Sequence, residues 1–330
     1  MNEISPDWEV QTVLGRIPAP ALGATDAHTH LIRLGGPLVD GSRDFLLDSV
    51  EKSVDELGLY RAAGGSAVVD MTPSVPGRDT QLLAAISRRS DIHVIAAAGF
   101  VDWALYPGTR GWIESASVDE LAALIAAEVT DGCDANNYTS PLIRRTSEQA
   151  GVIKVATGYQ VITSFQERLI RAAAAAHRMT GAPISAHTEY GTCVLELVDL
   201  LVQERVDPEA VIVAHTFHNP DPVYQRDIAQ TGIYLVQDGP GRIKYCPESN
   251  TVEQIERFLA DGFGDRLLLA GDHSRRSYWT SYGGGPGFDY LQRSFVPRML
   301  QAGIPESAVR AMLVDNAARA FRLRTGRRSR

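Results

Sequence analysis

The stretch Gly23-Ala24-Thr25-Asp26-Ala27-His28-Thr29-His30-Leu31 decides how the chain is read. A short run opened by glycine ends in two histidines two residues apart. Side chains alternate along a strand, so His28 and His30 present two imidazoles to one point. A His-x-His pair by itself arises by chance. At the C-terminal end of a first parallel strand it carries more weight, because barrel enzymes keep their active sites there.

Outward from this run, similar apolar segments recur at Ser66–Met71, His93–Gly99, Gly151–Val155, Ala182–Ala186, Val211–Ala214, Tyr234–Val236 and Leu267–Ala270. Between them lie helical patterns at Val118–Val129, Phe165–Thr180, Val194–Glu204, Val252–Leu259 and Phe288–Gln301, with Gly64, Gly181, Gly232 and Gly262 at candidate helix ends. Strands this apolar, without polar alternation, suit a parallel sheet covered on both faces. Eight strand–helix units over roughly 250 residues match a (β/α)₈ TIM barrel, an α/β fold. A doubly wound open sheet is the rival, but no glycine-rich phosphate loop follows the first strand. The expected organisation is one barrel domain over residues 1–330. Residues 1–22 form a short N-terminal extension, with Val10–Leu22 leading into the first strand, and 322–330 a short basic tail.

Three later segments repeat the first one's ending. Ile184-Ser185-Ala186 runs into His187, Val211-Ile212-Val213-Ala214 into His215, and Leu267-Leu268-Leu269-Ala270-Gly271 into Asp272. Any one of these could be a hydrogen-bonded polar residue at a strand end. A barrel gathers all its strand ends around one mouth, and four histidines converging with a carboxylate suit Zn²⁺ or a similar first-row ion. Lys154 terminates the run Gly151-Val152-Ile153, a strand expected to point into the barrel. An ammonium pointing into the barrel beside cations would be repelled. Either a carbamate made with CO₂ turns the amine into an anionic ligand able to bridge two metals, or Lys154 is a surface residue at a misplaced strand end.

Bulk properties narrow the function. With 32 basic and 40 acidic residues the formal net charge is −8, which argues against general affinity for nucleic acid or membrane surfaces. Cys133, Cys193 and Cys246 lie far apart, so neither a disulfide framework nor a thiolate zinc site is expected. Met1–Val10 is polar and acidic, and no apolar run approaches the ~20 residues of a membrane span. The expectation is a cytoplasmic protein acting on a small molecule.

The mouth carries a second signal. After the seventh segment stands Asp238-Gly239-Pro240-Gly241-Arg242-Ile243-Lys244-Tyr245, and after the eighth Asp272-His273-Ser274-Arg275-Arg276-Ser277-Tyr278-Trp279. Barrel phosphate sites often lie in these two loops. Arginine offers a fork matched to phosphate, lysine a point charge and tyrosine a hydroxyl donor. Lys244, Arg275 and Tyr278 are the candidate anion ligands, with Arg242 or Arg276 in reserve; the bland reading is solvated loop charge. Phe100, Trp103 and Tyr106 either line the pocket or anchor a loop. His218 and His273 are left outside the site, and His93 and His177 read as ordinary strand and helix residues. Gly283–Gly287 is expected to shape a mobile loop over the mouth.

The segments around His28 and His30, Gly151-Val152-Ile153-Lys154-Val155-Ala156-Thr157, Ala186-His187-Thr188-Glu189, Ala214-His215-Thr216 and Gly271-Asp272-His273 resemble the phosphotriesterase family of the amidohydrolase superfamily. The resemblance runs from about Thr12 to Phe321. It implies two divalent ions, expected to be Zn²⁺: one held by His28, His30 and Asp272, the other by His187 and His215. Carboxylated Lys154 and a hydroxide would bridge them, and Asp272 would take the nucleophile's proton. Thr29 departs from the Glu that many members carry between the first two histidines. Gly-x-x-Lys-Tyr with Arg275 and Tyr278 resembles the branch that hydrolyses phosphorylated sugar lactones. Hydrolysis of an acyl-homoserine lactone or an organophosphate triester, both neutral, is the alternative, as is a non-catalytic binding protein. The family also suggests a homodimer.

Overall fold

The structure is a computed structural model that describes residues 4–75, 77–105 and 107–324. It opens with an antiparallel hairpin of β1 (Glu9–Thr12) and β2 (Gly15–Pro18). Eight strands follow among the described residues: β3 (Thr25–Thr29), β4 (Ala67–Asp70), β5 (His93–Ala98), β6 (Val152–Thr157), β7 (Ile184–Thr188), β8 (Val211–Ala214), β9 (Tyr234–Gln237) and β10 (Leu267–Leu269). They pair in sequence order, each parallel to the next, as consecutive strand–helix units require. The last strand meets the first. Asp272 N–H donates to His28 O at 2.9 Å, and Gly271 N–H donates to the Asp26 carboxylate. The fold is the (β/α)₈ barrel that the apolar segments predict.

Alternation decides what each strand residue sees. Val152 joins an inner cluster with Ala67, Ile95, Ile212 and Leu268, while Ile153 and Val155 pack outward among the helices. Lys154, in phase with Val152, is therefore directed into the barrel. The hairpin sits beneath the strand N-termini, where Val13 N–H donates to Val94 O and Val10 and Leu22 join the inner cluster with Phe321. That end is plugged by apolar side chains, leaving the opposite end for polar chemistry.

Helix limits follow local chemistry. Ser117 with Glu120 and Thr163 with Gln166 form capping boxes that start Val118–Thr130 and Ser164–Thr180. Gly181 ends the second helix at φ 77°, where a Cβ would collide with Arg324 O. The expected helix over Phe288–Gln301 differs: a π-helical turn, Leu291–Phe295, precedes an α-helix at Val296–Gln301. Pro297 has no N–H to continue the α ladder, and a wider turn absorbs the gap. No helix of the described residues is long and apolar enough to cross a membrane.

Candidate metal centre and anion-binding rim

The strand ends bring the expected residues to one cavity of about 380 Å³, lined by His28, His30, Lys154, His187, His215 and Asp272. His28 and His30 leave β3 where its register against β4 shifts between Asp26 and Thr29. Asp26, wholly buried, accepts N–H groups from His28 and Gly271 and so ties β3 to the turn carrying Asp272. Burial pushes the Asp26 carboxyl up to about 7. His215 and Asp272 stand just past their strands with φ of 68° and 46°, a left-handed conformation uncommon outside glycine. Non-glycine residues held there cluster at functional sites.

Lys154 is 3% exposed, which excludes the surface alternative. It is the third residue of β6 rather than its last. Its Nζ lies 3.5 Å from His28 Nε2, and burial lowers its amine to about 7. The His28 and His30 imidazoles are held well below their ordinary range, burial being the largest cause and neighbouring cations the next. His187 falls to about 4, again first through burial. These rings are neutral near pH 7, with lone pairs to offer, and His28 Nδ1 has no hydrogen-bond partner although buried. Neutral imidazoles and a carboxylate are a donor set that fits divalent ions, and the Lys154 amine beside them is brought by burial to where it loses its proton near neutral pH.

The donor atoms of His28, His30 and Asp272 lie within 4.8 Å of one another, as one metal would need. His30 Nε2 faces Asp272 Oδ1 at 3.9 Å, and His30 Nδ1 contacts Thr72 Oγ1 at 2.8 Å. His187 stacks edge-on against His215 with centroids 4.5 Å apart, and its Nε2 contacts Glu189 Oε2 at 2.9 Å. A second compact group is His215, His218 and Asp238. His215 Nδ1 hydrogen-bonds Asp238 Oδ2, an outer partner that fixes the ring and leaves Nε2 free for a metal. Burial pushes the Asp238 carboxyl up, but His215, His218 and Arg242 outweigh it and hold the group far below the carboxylate range.

Asp238 and His218 were not predicted as site residues. The signal was present, since Asp238 directly follows β9 as Asp272 follows the turn after β10. His218 is stacked between His215 and Tyr245, with centroids 5.2 and 3.8 Å away. His273 is buried against Phe288, off the cavity lining. Arg33, also unpredicted, reaches the cavity from the loop after β3.

Lys244, Arg275 and Tyr278 all line the mouth. Lys244 Nζ donates to Tyr278 Oη at 3.0 Å, and Arg275 lies over Phe45 with Nη1 3.8 Å from Asp44. Arg242 differs from the reserve role given to it: it is buried, donating to Asp272 Oδ2 at 2.7 Å and to the backbone carbonyl of Asp238, so a carboxylate and a carbonyl already occupy its fork. Arg276 pairs with Asp48 and Leu46 O away from the cavity. Gly283–Gly287 does not line the mouth; its amides bond back to Ser277, Tyr278 and Trp279 and brace the segment carrying Tyr278. Phe100 packs with Trp112 and Tyr138 as a loop anchor, Trp103 lines the cavity, and Tyr106 lies outside the described residues. His93 opens β5, and His177 contacts Ala182 O in the turn after its helix.

Residues 8–321 match the Phosphotriesterase family. The chain belongs to the phosphotriesterase family. A phospho-furanose lactonase of Mycoplasmopsis synoviae (strain 53) is 34% identical over 318 residues, covering 94% of this chain and 90% of that one. The crystal structure of an amidohydrolase from Mycoplasma synoviae superposes with a TM-score of 0.94 at 32% identity, covering 98% of this chain and 94% of that one. The phosphotriesterase homology protein of Escherichia coli, solved with phosphate in its active site, gives a TM-score of 0.83 at 30% identity, covering 91% and 99%. This member of the family is a hydrolase acting on ester bonds.

Proposed function

We propose that this hydrolase opens the ring of a lactone carrying an anionic group, a phosphorylated sugar lactone being the favoured class. The observation that carries the proposal is the division of one cavity. Its floor gathers His28, His30, His187 and His215 with Lys154 and Asp272, and its rim bears Lys244, Arg275 and Tyr278. A neutral substrate gives the rim cations nothing to bind, whereas a phosphate takes a point charge, a guanidinium fork and a hydroxyl donor together. The phospho-furanose lactonase among the relatives and the phosphate in the Escherichia coli structure support this choice.

His28, His30 and Asp272 would hold one divalent ion and His187 and His215 a second, with Lys154 bridging as its carbamate. Zn²⁺ suits these donors, and two bound ions would polarise the ester carbonyl and supply water acidified to near neutrality. Asp272 takes the proton of the attacking water and returns it to the leaving alkoxide. Its Oδ2 is fixed by Arg242. Water adds to the carbonyl carbon, the ring C–O bond breaks, and a hydroxy acid leaves as its carboxylate with one proton released.

That proton makes a pH-indicator screen the direct test. Zinc-loaded protein is given phosphorylated aldonolactones, their unphosphorylated counterparts, acyl-homoserine lactones and an aryl phosphotriester. Preference for the phosphorylated lactones is expected; preference for the neutral esters would overturn the anion site and favour the alternative activity.

A further inference from the structure

Arg33 is a further cation in the cavity, beside His30 rather than Lys244 and Tyr278. Its backbone is locked by two hydrogen bonds to Leu47, Arg33 N–H to Leu47 O at 2.9 Å and Leu47 N–H to Arg33 O at 3.0 Å. Only 5% of the residue is exposed, yet the side chain lines the cavity beside His30. Nη1 donates to Ser274 O at 3.2 Å and Nη2 meets His30 Nδ1 at 2.9 Å. No carboxylate forms an ion pair with it among the described residues, in contrast to Arg78, which is bound to Glu128, and Arg242, which is bound to Asp272. A buried guanidinium has five donors to satisfy, and these two contacts leave the fork with capacity. Arg33 and Arg275 share the Phe45 ring, with guanidinium carbons 5.6 and 4.0 Å from its centroid, but Arg275 also has Asp44 at 3.8 Å.

We propose that Arg33 is a substrate-binding residue that grips the scissile end of the substrate, the ester oxygens and the carboxylate they become. The proposal rests on the lactonase reading above. Hydrolysis turns an uncharged ester into a carboxylate, so the product carries one more negative charge than the lactone, at the end lying near His30 and Asp272. A guanidinium matches a carboxylate with two parallel hydrogen bonds and an ester carbonyl with fewer. Arg33 therefore binds the ring-opened acid more tightly than the lactone, and the enzyme is inhibited by its product. Lys244, Arg275 and Tyr278, on the rim, act on the phosphate instead, and the two grips are separable.

The test measures KM, and product affinity by calorimetry, for a turned-over lactone and its acid, each with and without phosphate, in zinc-loaded wild type, Arg33→Met and Arg33→Lys. The expected result is weaker binding of both acids to Arg33→Met by about tenfold or more, the loss typical of a charge-assisted hydrogen bond. The fold-change should be equal with and without phosphate, with zinc content and melting temperature as in wild type. Arg33→Lys should fall between the two, keeping the charge without the fork. Unchanged acid affinity overturns the proposal. So does a loss confined to phosphorylated ligands, which would move Arg33 into the rim site. A loss of zinc would overturn it by making Arg33 a prop for His30. Failure of the lactonase reading shows separately, in a wild-type enzyme that opens no lactone.

Discussion

Arg242 Nη1 donates to Asp272 Oδ2 at 2.7 Å, while Asp272 Oδ1 faces His30 Nε2 at 3.9 Å. One oxygen is committed to a buried cation and the other is left for the centre. Arg242 also lies 3.6 Å from Asp238 Oδ2, so a single guanidinium compensates two buried carboxylates. Replacing it by glutamine takes its charge from both and leaves Asp272 Oδ2 without its ion-pair partner. Breaking a buried pair by removing one partner costs about 3–5 kcal/mol. Urea unfolding of metal-free Arg242→Gln is expected to show a loss of that order; an unchanged midpoint would mean that the cluster does not depend on its cation.

Lys154 sets a pH window for assembly. Burial lowers its amine from the ordinary 10.5 to about 7, and only the neutral amine reacts with CO₂. Metal uptake by stripped protein in bicarbonate should be efficient at pH 8 and poor at pH 6. Between about 7 and 10.5 the unfolded chain holds a proton that the folded chain has lost, so the stability of the metal-free protein rises with pH through that window. Lys154→Ala should lose metal and activity and regain part of both in acetate, whose carboxylate replaces the carbamate. Full metal content in Lys154→Ala without acetate would remove the lysine from the centre.

The barrel and the centre were legible because each rests on strand ends. Parallel strands covered on both faces leave uninterrupted apolar runs, and a polar side chain that closes such a run stands out, as His187 and His215 do. Residues whose place depends on loop pairing did not stand out. Arg33 reaches the cavity only because Leu47, distant in sequence, pairs with its backbone. Arg242 read as a free rim cation because nothing local reveals that its loop turns it inward onto Asp272. The same holds for Gly283–Gly287, whose composition suggested motion while its amides are spent on Ser277, Tyr278 and Trp279.

The rim pair separates substrate classes. Lys244 Nζ and Tyr278 Oη are 3.0 Å apart, close enough to share one phosphate oxygen. Lys244→Ala and Tyr278→Phe should each raise KM for a phosphorylated lactone by about tenfold or more, since each removes one charge-assisted hydrogen bond. Turnover of the unphosphorylated lactone should stay within about twofold. Equal losses on both substrates would place the pair in support of the loop rather than on the phosphate.

Asp238 orients His215 from behind. The carboxylate accepts from His215 Nδ1, which selects the tautomer with a lone pair on Nε2. Removal of such an outer partner typically costs about 10–100-fold in metal affinity. Asp238→Ala is expected to lose zinc to a chelator at correspondingly lower concentrations, with the first ion lost coming from the His187–His215 side. Wild-type retention of both ions would show that the His215 ring needs no such support.

Beyond the cavity, Arg78 and Glu128 form a buried fork at 2.7 and 2.8 Å, both side chains 1% exposed or less. Arg78 also donates to Asn137 Oδ1 and Ala97 O, and Ser74 Oγ accepts the Gly99 N–H. The cluster thereby fixes the segment after β4, and that segment carries Thr72 to its contact with His30 Nδ1. In Glu128→Gln a neutral amide faces a guanidinium that stays charged, and about 3–5 kcal/mol should be lost. A double change to Arg78→Met with Glu128→Leu removes both charges and should recover much of that loss by apolar packing. If urea unfolding shows the double variant as weak as Glu128→Gln, the pair itself holds the loop. If it recovers stability but binds zinc less tightly, the cluster serves to position Thr72 rather than to stabilise the fold.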